Sequence, residues 1–503
     1  MVMKRHSYKK NYNIKNKRKS KINGGRPPVE DNDQCRVIAT LGWEKGGHSE
    51  WVTSVAFHPI LPFLATGSGD KTAKLWRFSA DCSLVTCVAS LHGKHGHRSY
   101  VNSVAFHPEL PLLATGSNDM TAKLWSFNPL GSEATNMSAT CVATLDGDKK
   151  HSSYVNSVAF HPKLPLLATG SHDRTAKLWS FDPHGLARGN LSETCIATLE
   201  GKQGHRQEVV SVAFHPTEPI LATGSWDHTA KLWHFNPHGS ASDNMLATCV
   251  ATMKGIHGHT GAVTSVAFHP ELPLLATGSD DNTAKLWRFD PDGSEEDNMS
   301  ATCVATLQGH SLFRFPFRSV AFHPTLPLLA TGLDNRTAEL WRFNPHGSKD
   351  NNMLATCLTI IRGYDQPVRS VAFHPTLPLL AISSIDRSMK LWRCKILELY
   401  NDFTLYRKKG DVSEDICNSL CYLCNFNLCK KNPGNDKNSN GYVVKLTNGN
   451  LTKDIHVHYN CLHFQLTTSK TEIDNIPISS DTIQRILNID DKMDALIGTD
   501  FYI

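Results

Sequence analysis

The chain has 503 residues, 40% of them hydrophobic, with 52 Lys and Arg against 47 Asp and Glu and a formal charge of +5. That apolar share suffices for a packed core, and no run of about eighteen apolar residues exists to span a membrane. The first residues lack the apolar segment of a secretory signal, which argues against that class as well.

The small net charge hides an asymmetry, because residues 1–28 carry ten Lys or Arg and no acid. Residues 1–34 are polar, basic and rich in Asn and Lys, a composition that predicts a disordered tail. Its run KRHSYKKNYNIKNKRKSK fits a nuclear address, a low-specificity contact to nucleic acid through counterion release, or a solvated arm. An intracellular chain, cytoplasmic or nuclear, is expected.

From residue 35 the sequence repeats. Trp76, Trp125, Trp179, Trp233, Trp287, Trp341 and Trp392 each close a near-copy of LATGSDDNTAKLW, at intervals of 49, 54, 54, 54, 54 and 51 residues. Self-similarity at a fixed period means units that bury their apolar faces against one another. In the unit spanning 248–290, TCVATM, AVTSVAFHP, LLATGS and AKLWRF read as four short strands separated by Gly-, Pro-, Asn- and Asp-rich turns. That pattern predicts an antiparallel meander, with no helix anywhere in the array. Of the 14 cysteines, Cys87, Cys141, Cys195, Cys249, Cys303 and Cys357 recur once per unit. They are expected as unpaired core thiols in a reducing compartment.

These residues resemble the WD-repeat β-propeller family: a Gly-His pair, SVAFHP, LATGS, a turn Asp and a closing Trp, in that order, complete in four of the seven units and altered at one or more of those places in the other three. The residue after Trp is Arg, Ser or His rather than the family's Asp. The resemblance implies an all-β, seven-bladed propeller of four-stranded antiparallel blades over residues 35–399, expected as a monomer. It also implies a hydrogen-bonded structural tetrad within a blade: His97, Thr115, Asp119 and Trp125; His205, Thr223, Asp227 and Trp233; His259, Thr277, Asp281 and Trp287. Units six and seven depart from it at Asn335, Tyr364 and Ile382, and are expected to be the least rigid. CRVIATL at 35–41 matches the first strand of every later unit but precedes the first Gly-His pair. It is therefore expected to complete the last blade, in preference to the rival segment Cys394–Leu399.

No catalytic residues are predicted. Each unit's FHP histidine, from His58 to His374, reads as a hairpin-end residue rather than part of a metal or acid–base ring. Two positions vary between otherwise near-identical units, and by the resemblance both face one rim. Ahead of SVAF stand Trp51, Tyr100 and Tyr154, then Glu208, Ala262, Pro316 and Pro367. Ahead of the turn Asp position stand Gly69, Asn118, His172, Trp226, Asp280, Asp334 and Ile385, with Arg318 and Arg369 nearby. Aromatics and Arg are enriched where partners dock, so Trp51, Tyr100, Asn118, Tyr154, His172, Trp226, Asp280, Arg318, Asp334 and Arg369 form a candidate rim for a protein or peptide.

Residues 400–503 lack the period and are expected to form a small α+β module, with a helix in SSDTIQRILNIDDKMDALI. Cys421-x-x-Cys424 and His458-x-x-Cys461 can place four ligands around one structural zinc; free thiols are the other reading. The propeller itself needs no cofactor. The leading expectation is a non-enzymatic interaction scaffold. The alternatives are a substrate adaptor for ubiquitin ligation through the C-terminal module, and a nucleic-acid-associated factor using the basic tail.

Overall fold

The computed structural model describes residues 35–394 apart from 44–45, 80–83, 130–138, 148, 190, 237–246, 291–298, 311–313, 345–352 and 354, and beyond them only three strands. Seven four-stranded antiparallel sheets follow one another as the blades of a ring. Blade one runs through Val52–Phe57, Phe63–Ser68, Ala73–Phe78 and Val85–Leu91. Blades two to six start at Val101, Val155, Val209, Val263 and Phe317 and repeat the plan. Three short 3-10 turns, Pro183–Arg188, Gly201–Gln203 and Gly255–His257, lie in loops, two of them tightening the loop before a Gly-His pair, and no α-helix occurs among the described residues. No described helix is long and apolar enough to cross a membrane.

Burial explains which segment becomes which strand. The LATGS strand is buried at every position in all seven blades, because its two faces pack on the two flanking blades. Such a strand must be continuously apolar or small. The TCVATL strand lies outermost and is half-buried over its first residues and mostly buried over its last four. Close approach between blades also dictates glycine: a Cβ on Gly116 would lie 2.9 Å from Val155 Cγ1 and 3.0 Å from Val158 Cγ1 of the next blade.

Two residue sets tie the ring together, and the sequence pattern assigned neither of them a role between blades. In each SVAF strand the Ser Oγ accepts the backbone N–H of the next blade's Val, as in Val104 to Ser54 at 3.2 Å and Val158 to Ser103 at 3.1 Å. The series continues through Ser157, Ser211, Ser265 and Ser319 and closes where Val55 donates to Ser370 at 3.3 Å. The innermost edge strands thereby satisfy amide groups that would otherwise lie bare toward the channel. The FHP histidines make the second cycle. Each ring packs on the next blade's Phe, from His58–Phe106 at 5.0 Å to His374–Phe57 at 4.9 Å. Their Nδ1 atoms accept the N–H groups of the following turn. They are packing wedges, with no second ligand beside them.

The last blade closes as the first-segment reading requires. Cys35–Leu41 pairs antiparallel with Met389–Cys394, setting Val37 opposite Trp392. A Cys35–Cys394 disulfide joins the two strands across 359 residues of sequence. The six repeat cysteines are free, but only Cys195 is buried. The other five are half-buried, because the outermost strand has no blade packed on its far side; each Sγ donates to a carbonyl two residues on. Beyond the ring, Arg407–Lys409, Gly441–Asn448 and Leu451–His458 form a three-stranded antiparallel sheet.

Candidate interaction rim

Each tetrad is assembled from two strands, which carry the Thr and the Trp, from the loop that carries the His and from the turn that carries the Asp. In blade two, Trp125 Nε1 donates to Thr115 Oγ1 at 2.9 Å, and Thr115 lies 2.7 Å from His97 Nε2. His97 Nδ1 lies 2.8 Å from Asp119. Blades four and five bring together His205, Thr223, Asp227 and Trp233, and His259, Thr277, Asp281 and Trp287, with the same geometry. Blades one and three repeat it through His48 and His151. Burial pushes His97 and His205 below the ordinary imidazole range, against the pull of their Asp partners. A neutral ring that donates from Nδ1 and accepts at Nε2 suits this relay. Burial raises the Asp119 and Asp227 carboxyls, but hydrogen bonds from the His, a Thr and a backbone amide outweigh it and hold them well below the usual range. The other Asp oxygen bonds Thr121 or Thr229, which holds the turn in shape.

That turn delivers the variable residues to one edge of the ring. In every blade a backbone hydrogen bond joins the residue ahead of the turn Asp or Asn to the residue ahead of the first strand: Gly69 to Trp51, Asn118 to Tyr100, His172 to Tyr154, Trp226 to Glu208, Asp280 to Ala262, Asp334 to Pro316 and Ile385 to Pro367. The two variable positions are therefore neighbours throughout. Trp51, Tyr100, Tyr154 and Trp226 are 41–44% exposed. Trp51 meets Tyr100 at 6.0 Å between ring centroids. His172 lies between Tyr154 at 5.5 Å and Trp226 at 6.0 Å, with its Nε2 3.2 Å from Glu208. Asn118 accepts from Asn102 at 2.7 Å. On the other arc, Arg318 bridges Asp334 at 2.8 Å and Asp280 at 2.6 Å. Burial alone would lower the Arg318 guanidinium, but the two carboxylates raise it above its usual value. Arg369 is pushed down by burial and then by the Arg318 charge.

The C-terminal ligand set fares differently. Cys421, Cys424 and Cys461 lie outside the described residues, as does the expected helix, and His458 is described only as the last backbone position of its strand. The basic tail also lies outside them.

Comparison with known proteins agrees with the geometry. The family model "WD domain, G-beta repeat" matches residues 37–77, 82–126, 139–180, 193–234, 247–288, 301–342 and 355–393. A nuclear distribution protein PAC1 of Arthroderma otae is 28% identical over 296 residues, covering 48% of this chain and 59% of that protein. The pre-mRNA-processing factor 19 of Oryza sativa subsp. japonica is 29% identical over 250 residues, covering 50% of this chain and 40% of its own length. The transcriptional corepressor LEUNIG_HOMOLOG of Arabidopsis thaliana is 24% identical over 283 residues, covering 49% and 30%. The chain thus spans little more than half the length of the first of these relatives. Seven matched repeats, seven closed blades and the His–Asp relay of blades one to five make this chain a member of the WD-repeat family.

Proposed function

We propose that this propeller is a non-enzymatic scaffold that holds a protein or peptide partner on the aromatic arc of its rim, in an intracellular setting. The observation that carries the reading is the exposure of Trp51, Tyr100, Tyr154 and Trp226 along one edge of blades one to four. Contiguous exposed aromatics on a rigid ring are costly to leave wet and contribute much when covered. The charged arc of Asp280, Arg318 and Asp334 is already internally paired, so it offers less to a partner and would serve as a polar border. The relatives' printed roles in nuclear distribution, pre-mRNA processing and transcriptional corepression suit a binding platform better than a catalyst.

The test is a substitution of the arc alone. A Tyr100→Ala, Tyr154→Ala, Trp226→Ala triple variant should keep the wild-type unfolding midpoint and lose the proteins that wild type retains in quantitative affinity capture. Equal capture by the two would end this reading.

A further inference from the structure

Blade six replaces the family relay with a different set of groups. Three extra residues stand between Gly309-His310 and the strand Phe317–Phe322, compared with the other Gly-His pairs. His310 therefore does not enter the tetrad position, and its side chain is 46% exposed. Among the described residues, Asn335 receives hydrogen bonds from Thr337 alone.

A charge reversal accompanies that change. At the position of Glu339 the six other blades carry Lys: Lys74, Lys123, Lys177, Lys231, Lys285 and Lys390. In four of them the ammonium donates to a Thr hydroxyl on the outermost strand, as in Lys123 to Thr144 at 2.9 Å and Lys177 to Thr198 at 3.0 Å. Blade six has lost both partners, because Glu339 stands opposite Ile360. The Glu339 side chain is 1% exposed. One of its oxygens accepts the His310 backbone N–H at 3.0 Å, while Oε2 is buried with no hydrogen-bond partner among the described residues. A carboxylate oxygen shut away from water without a donor is costly.

His310, Glu339 and Cys357 offer donor atoms that all lie within 4.8 Å of one another, and His310 Nδ1 is 3.9 Å from Glu339 Oε2. Tetrahedral zinc ligands lie about 3.3–3.8 Å apart, given metal–ligand lengths of about 2.0–2.3 Å, so the set needs only side-chain rotation to close. We propose that blade six binds a zinc-type divalent metal through His310, Glu339 and Cys357, with the fourth position open toward solvent. An imidazole, a carboxylate and a thiolate together favour a borderline transition metal, whereas Ca2+ and Mg2+ take oxygen ligands. The ion ties the Gly309-His310 connection to the two outer strands of the blade, replacing the missing His–Asp bond.

Burial raises the Glu339 carboxyl, and burial together with Glu339 pushes the Cys357 thiol up to about 12. Metal binding therefore displaces the Cys357 thiol proton and weakens as pH falls. The charge of Arg362 also acts on Glu339 and Cys357, and the test must separate it from a bound ion.

Chelator-stripped full-length protein titrated with Co2+ should develop a thiolate-to-cobalt charge-transfer band. That band should survive in a Cys421→Ser, Cys424→Ser variant and vanish when Cys357→Ser is added to that variant. Glu339→Lys, which restores the residue of the other blades, and His310→Ala should each weaken Co2+ binding at least about tenfold, the scale seen even for residues outside a ligand set. His310 is partly exposed, so its variant keeps the test decisive if Cys357→Ser does not fold. No band, a band lost with Cys421 and Cys424, or equal Co2+ affinity in wild type and His310→Ala overturns the proposal; the last result would leave Arg362 as the group that balances Glu339.

Discussion

The tetrad Asp is the residue on which each regular blade depends most. Asp227 accepts from His205, Thr229 and the Arg206 amide while only 8% of its side chain is exposed. Asp227→Ala leaves those donors stranded and should cost about 1–3 kcal/mol, read as a lower urea midpoint. Asn335→Ala in blade six should cost less, since Thr337 is the one donor to it among the described residues. These positions were legible because the family resemblance places the tetrad on motifs that recur with the repeat. The Ser54 series and the FHP wedges recur just as faithfully. Their roles stayed hidden because each partner lies in the next unit, about fifty residues away, and a repeat does not reveal which face a neighbour covers. Glu339 carried a visible signal, a lone acid among six lysines, and only its burial beside His310 and Cys357 gave that signal a meaning.

At the scale of the strand, closure is the decisive event. Cys35–Leu41 supplies the outer strand of blade seven, and the Cys35–Cys394 bond secures it. A cross-link spanning so long a loop removes much chain entropy from the unfolded state, so Cys35→Ser should destabilise the oxidised protein by roughly 2–5 kcal/mol. The matching observation is that reductant lowers the wild-type midpoint and leaves that of Cys35→Ser unchanged; no difference between the two proteins in oxidant would refute it. Blade seven also shows how a degraded unit is repaired. Trp392 Nε1 donates to the Tyr364 hydroxyl at 2.7 Å, so the phenol stands where His and Thr act elsewhere, and Lys390 Nζ donates to the Gly363 carbonyl.

For the whole ring, the seven wedge histidines couple stability to pH. Burial lowers His58, His107, His161, His269, His323 and His374 to about 4, and lowers His215 as well. In the unfolded chain each returns to about 6.5. Between those values the unfolded state takes up protons that the folded ring refuses, so stability falls as pH drops from about 6.5 toward 4. Above that window these groups contribute no slope. The tetrad Asp residues, held below the carboxylate range, add a further loss at more acidic pH. Urea midpoints measured across the window should decline steadily; a flat profile would mean that the wedges are solvated.

With the tetrad positions supplied by the family resemblance, the sequence by itself determined the number of repeat units, the strand order within them and the segment that closes the ring. Those follow from local spacing, since period and turn chemistry repeat along the chain. Tertiary structure alone decided that the Ser and His series form closed cycles, that Arg318 pairs with Asp280 and Asp334, that Cys35 meets Cys394, and that the lone acid of blade six lies buried beside an imidazole and a thiol. Each of those depends on which surfaces face one another after the ring has closed, and a linear pattern carries no record of that.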